Sequence, residues 1–88
     1  MAKVLKITSE KEDKNQANYQ TRAINRAFDI VNLFSADVPE LSLSDISSKT
    51  DLNKSTVIRL LSALMEYRFI EQNPYNDKYH LGIKSFEL

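Results

Sequence analysis

From Ser42 to Tyr67 the chain reads SLSDISSKTDLNKSTVIRLLSALMEY, two helical patterns separated by a break of three residues. Ser42 is followed three residues later by Asp45, a capping arrangement with Leu43 and Ile46 as its apolar contacts. The helix it starts should run to about Lys49 or Thr50. Asp51-Leu52-Asn53 then makes a tight turn. Beyond it Val57, Leu60, Leu61 and Leu64 form a sharp apolar stripe, while Lys54, Ser55, Thr56, Arg59 and Ser62 fall elsewhere on the circumference. This element, about 54–67, is the clearest in the chain.

Upstream, Ile24, Phe28 and Val31 recur at helical spacing, seconded by Ala27 and Phe34, behind Thr21 as an N-cap. They predict a first helix from Arg22 to about Phe34. Ser35 to Leu41, with Pro39, is a connection, and Leu41 is placed to begin a short edge strand. Residues 1–20 contain no large aliphatic residue after Ile7 and read as a mobile tail. Downstream, Phe69 to Asn73 and Lys78 to Leu81 are short β-prone runs around Pro74-Tyr75-Asn76-Asp77, which has the residues of a hairpin loop. Tyr79 and Leu81 share one face of the second run. Gly82 punctuates its end, and Ile83, Phe86 and Leu88 start something apolar and helical. The chain thus divides into a tail (1–20), a domain (21–82) and the start of a linker helix (83–88).

The 88 residues are 42% hydrophobic and 27% charged, with 12 Lys+Arg against 12 Asp+Glu. A chain of this size buries only roughly 60% of its unfolded surface and suits a module. The absence of cysteine excludes a disulfide framework, a thiolate metal site and a Cys nucleophile. One histidine, His80, gives a metal centre or a Ser/His/Asp triad little to be built from. With no nucleophile-base pair and no phosphate-binding glycine loop, neither an enzyme nor a cofactor is expected. No apolar run approaches the ~20 residues of a membrane span, and the Met-Ala-Lys start lacks a signal's apolar region, so the expected location is the cytoplasm.

Three helices, the second and third joined by a tight turn, and then a hairpin make a mostly α winged helix-turn-helix. A helix fits the major groove of B-form DNA, and its first turn offers free N–H groups and a positive dipole end to phosphates. Asn53-Lys54-Ser55-Thr56 places a cation and two small hydroxyls there, with Arg59 and Ser62 further along. Arg59 lies on the same side as Ser55 and Thr56 and is suited to a bidentate guanine contact or a phosphate clamp. Arg22 is in position to reach backbone phosphates. Lys78, in the wing of about 69–82, would meet the flanking groove or backbone. The basic charge is segregated: Lys54, Arg59 and Arg68 stand with only Glu66 among the charges from Lys54 to Arg68.

Taken together, Arg22-Ala23-Ile24, Leu41-Ser42-Leu43-Ser44-Asp45-Ile46, Leu52-Asn53-Lys54-Ser55-Thr56-Val57-Ile58-Arg59-Leu60-Leu61 and Tyr79-His80-Leu81-Gly82 make residues 22–88 resemble one known domain. It is the N-terminal DNA-binding domain of the IclR family of bacterial transcription regulators. The resemblance implies a homodimeric or tetrameric regulator, a repressor or an activator, and a dimer with two recognition helices in major grooves predicts a partly palindromic double-stranded operator. The resemblance also implies a small-molecule effector bound through a C-terminal domain absent from this chain. Lys54, Ser55, Thr56 and Arg59 sit where the family's recognition helix contacts DNA. Three positions depart from its pattern: Asp51 and Arg68 stand where glycine is common, and Asn53 where proline is common.

Other readings stand beside these. Ser55, Thr56 and Arg59 also suit a solvated helix face, and Arg26 an i,i+3 pair with Asp29. Tyr67, Tyr75 and Tyr79 read as packing and wing residues, His80 as a surface strand residue, and Asp45 and Asp51 as cap and turn. Zero net charge favours the alternative of a winged-helix protein-interaction module without specific DNA binding. Ile83, Phe86 and Leu88, with part of the first helix, are expected to form a dimer surface.

Overall fold

A computed structural model of the chain describes residues 10–87, with side chains from Thr21 onward. The elements in order are α1 (Glu10–Val31), α2 (Leu43–Thr50), α3 (Lys54–Glu66), β1 (Ile70–Gln72), β2 (Tyr79–Leu81) and a 3-10 turn (Ile83–Phe86). The mostly α winged helix-turn-helix expected from the sequence is the fold observed.

The first helix departs from expectation at both ends. It begins at Glu10, so Thr21 lies within it and caps nothing. Residues 10–20 contain neither glycine nor proline and hold two each of Glu, Lys and Gln, which favour helix without needing an apolar stripe. The tail expected over 1–20 is therefore helical backbone from Glu10, and residues 1–9 lie outside the described part. At the other end α1 stops at Val31, and Phe34 N–H reaches the Val31 carbonyl at 3.3 Å in a following turn.

The buried face of α1 is also rotated from the one expected. Ile30 (0% exposed) and Phe34 enter the core, whereas Ile24 (55%) and Phe28 (57%) stay in water. Ala23-Ala27-Ile30-Phe34 and Ile24-Phe28-Val31 are overlapping stripes at the same helical period. Periodicity does not choose between them. The small Ala23 and Ala27 let α3 come close, and the first stripe faces it.

The other helices start and end close to where their sequences place them. Ser42 Oγ accepts from Asp45 N–H at 3.0 Å, and Asp45 Oδ2 accepts from Ser42 N–H at 3.2 Å, a reciprocal capping box for α2. Ile46 from α2 and Val57 and Leu61 from α3 complete the helical core with Ile30 and Phe34, and Ile70, Tyr79 and Leu41 close it from the sheet side. β1 and β2 are antiparallel, with Ile70 opposite Leu81 and Gln72 opposite Tyr79. Leu41 adds the short edge expected of it, exchanging backbone hydrogen bonds with Tyr79 at 2.8 and 3.0 Å. Between the strands Asn73 Oδ1 accepts from Tyr75 N–H and Asn76 Oδ1 from Lys78 N–H, both at 2.9 Å, and Asp77 takes φ 62°. Where a linker helix was expected over 83–88, the described residues form only the 3-10 turn Ile83–Phe86, and Leu88 lies beyond them.

Candidate nucleic-acid interface

Asp51 makes the turn between α2 and α3 in left-handed geometry (φ 58°), a conformation aspartate tolerates better than most residues. Ser47 braces it, its hydroxyl donating to the Leu52 carbonyl, whose own residue's N–H donates to Ser47 O at 3.3 Å. Asn53 then caps α3. Its Oδ1 accepts from Thr56 N–H at 2.9 Å and from the Ser55 hydroxyl at 2.8 Å.

This geometry decides what the first turn has left to offer. The N–H groups of Lys54 and Ser55, at the first two helical positions, have no intrahelical partner and stay available to an anion. Asn53 keeps its NH2 group, and Ser55, its one proton donated to Asn53, presents lone pairs. Lys54, Ser55, Arg59 and Ser62 are exposed and Thr56 is half-buried, while Val57 and Leu61 on the opposite side are buried.

Toward α1, Thr56, Arg59 and Leu60 meet Arg22, Ala23 and Arg26 around an open cleft of about 410 Å³. Arg26 does not pair with Asp29: among the described residues the single ion pair is Lys84–Glu87 at 3.5 Å. The sequence signal for its place in the cleft is its spacing of four from Arg22, which puts the two on one helix face. Lys78 stands apart. Its charge reaches the Glu40 and Asp45 carboxylates, both of which are held below their ordinary range. For both carboxylates hydrogen bonds come first. Glu40 accepts from the side-chain NH2 groups of Asn73 and Asn76, each at 3.1 Å, and Asp45 from Ser42 N–H. Glu40 thereby ties the hairpin to the body of the domain, a role its sequence position does not announce. Of the tyrosines, Tyr79 is buried in the core, Tyr67 lines a groove between α1 and α3, and Tyr75 projects from the hairpin tip at 95% exposure.

A tight-turned helix pair whose second helix presents a polar and basic face, backed by a hairpin, defines a winged helix-turn-helix. Residues 23–74 match the IclR helix-turn-helix domain. The chain is 42% identical over 66 residues to the HTH-type transcriptional regulator XynR of Escherichia coli (strain K12), covering 75% of this chain and 26% of XynR. It is 33% identical over 67 residues to the glycerol operon regulatory protein of Streptomyces griseus, covering 76% and 26%. Among solved structures, the IclR family transcriptional regulator from Brucella abortus superposes with a TM-score of 0.70 at 28% identity, over 74% of this chain and 25% of that one. Pseudomonas aeruginosa HmgR gives 0.69 at 27% identity, over 75% and 27%. The chain belongs to the IclR family of transcriptional regulators and carries its DNA-binding helix-turn-helix. It spans about a quarter of the length of the curated relatives it matches. No helix among the described residues is long and apolar enough to cross a membrane.

Proposed function

We propose that this domain reads a specific double-stranded DNA sequence, with α3 in the major groove and the hairpin over the flanking groove or backbone. The observation that carries the reading is the face of α3 itself. Lys54, Ser55, Arg59 and Ser62 are exposed along a helix whose opposite side is locked into the core, and its first N–H groups are open to phosphate. Asn53 contributes chiefly by capping, Thr56 and Arg22 by lining the basic cleft, and Lys78 from the hairpin. The function is regulatory, with no catalytic step and no cofactor.

Binding is proposed as a homodimer, or a tetramer built from it, on a partly palindromic operator. Two recognition helices would then enter major grooves about 34 Å apart or a multiple of it. Effector binding is assigned to residues outside this chain. The test is selection of binding sites from a random duplex library, followed by affinity measured as salt is raised. Enrichment of a palindrome with a log–log salt slope near −0.9 per phosphate neutralised is expected. No enrichment and a flat salt response would overturn the reading in favour of a protein-interaction module.

A further inference from the structure

The cleft between α1 and α3 gathers three guanidinium groups, and among the described residues no carboxylate lines it. Arg22 and Arg26 reach it from successive turns of α1, and Arg59 from α3. Ala23 and Leu60 complete its wall with apolar surface. Thr56 also lines it, and its hydroxyl makes no hydrogen bond to any described group. Like charges around an open cleft repel one another when it is empty, and an anion within it removes that cost.

Position on α3 separates this cleft from the base-reading face. At 100° per residue, Ser55 and Ser62 lie within about 20° of each other, and Thr56 is turned about 100° from Ser55 toward α1. Arg59 lies between them, and its side chain joins the α1 side. A helix in the major groove points its outermost ridge at base edges and its shoulders at the sugar-phosphate walls. The planar guanidinium fork matches phosphate oxygens.

We propose that Arg22, Arg26 and Arg59, with the Thr56 hydroxyl, form one cradle for a backbone phosphodiester of the bound DNA, and that Arg59 orients α3 instead of reading a base. This rests on the DNA-binding reading above and adds Arg26 to the contact surface. The three arginines act on one phosphate, so their contributions are coupled.

The test uses the selected duplex and a scrambled one, with the unaltered chain and the variants Arg22→Ala, Arg26→Ala, Arg59→Ala and Ser55→Ala. Circular dichroism confirms that each is folded. Each arginine variant should lose about tenfold in affinity by the same factor on both duplexes, with a shallower salt slope. Arg26→Ala/Arg59→Ala together should lose less than the product of the single losses. A duplex with one neutral methylphosphonate at the gripped position should weaken the unaltered chain but barely weaken that double variant further. Ser55→Ala should instead change base preference. A changed preference at one base pair in Arg59→Ala would overturn the cradle by making Arg59 a base reader. Unchanged affinity in Arg22→Ala and Arg26→Ala would overturn it while leaving DNA binding intact. Absence of salt-dependent binding by the unaltered chain would overturn the DNA-binding reading itself, and the cradle with it.

Discussion

Gly82, the chain's one glycine, follows β2 where a side chain would have no room. A Cβ there would clash with the Arg68 carbonyl oxygen and stand 3.2 Å from the Ile70 nitrogen, both backbone atoms. Gly82 N–H also donates to Phe69 O at 2.7 Å, so the two segments cannot part without losing a hydrogen bond. Gly82→Ala should therefore destabilise the domain by about 1–3 kcal/mol, read as a lower urea midpoint. Wild-type stability in that variant would mean the hairpin shifts freely. Arg68 presents the reverse case. It holds φ 66° at the end of α3, where glycine avoids the clash between Cβ and carbonyl oxygen. Arg68→Gly should raise stability by up to about 1 kcal/mol in the same measurement, less whatever the freer unfolded chain takes back. Asn53→Ala removes the acceptor that caps α3 and should cost about 1 kcal/mol, and with it the lock on the Ser55 hydroxyl.

Between elements, the hairpin is held to the rest of the domain by polar atoms that respond to acid. Glu40 receives Asn73 and Asn76 and is held below its ordinary range first by those two hydrogen bonds; Asp45 is held down first by the Ser42 N–H. A carboxylate lowered in the folded state contributes stability above its unfolded value and loses it as pH falls through the folded one. Stability should therefore decline on acidification below roughly pH 4, and not on the alkaline side. The Asn73 and Asn76 side-chain amide resonances should move in that window, and stay still in Glu40→Gln. Movement that persists in the variant would remove Glu40 as the anchor. How much of these elements is legible beforehand follows from how local their signals are. Ser42 with Asp45, and Asn53 ahead of the Val57-Leu60-Leu61-Leu64 stripe, carry start signal and periodicity together, so α2 and α3 are readable nearly to the residue. Leu41 as an edge strand and the Asn-Pro-Tyr-Asn-Asp loop are similarly local. In α1 the buried stripe is selected by α3, far along the chain, and Ile24 and Phe28 have the right period on the wrong side. Likewise Arg26 and Glu40 acquire their roles only from partners brought in by the tertiary fold.

At the scale of the molecule, the wide apolar arc of α1 has more surface than this domain covers. Ile24 and Phe28 border a groove of about 330 Å³ between α1 and α3, with Leu60, Leu64, Tyr67 and Phe69 on its other sides. Tyr67 also lines a neighbouring cleft with Ile83, whose other sides are the charged Glu66, Arg68, Lys84 and Glu87, so the apolar surface is confined to the groove between α1 and α3. Phe86, expected on the same surface, instead borders Phe34 and Leu81 in a separate cleft. This groove and the arginine cleft flank Ala23 and Leu60 from opposite sides, so a second copy seated on Ile24 and Phe28 leaves Arg22, Arg26 and Arg59 open to DNA. A symmetric dimer needs one self-complementary patch, and a ridge of Ile24 and Phe28 beside its own groove has that form. The chain should then show concentration-dependent mass in sedimentation equilibrium, and Phe28→Glu should return it to a monomer at every concentration. The same variant should weaken binding to the palindrome much more than to a single half-site, because it removes the linkage between two sites and touches neither. Equal losses on palindrome and half-site would instead place Phe28 in the recognition surface, and an unchanged sedimentation profile would move the dimer contact off α1.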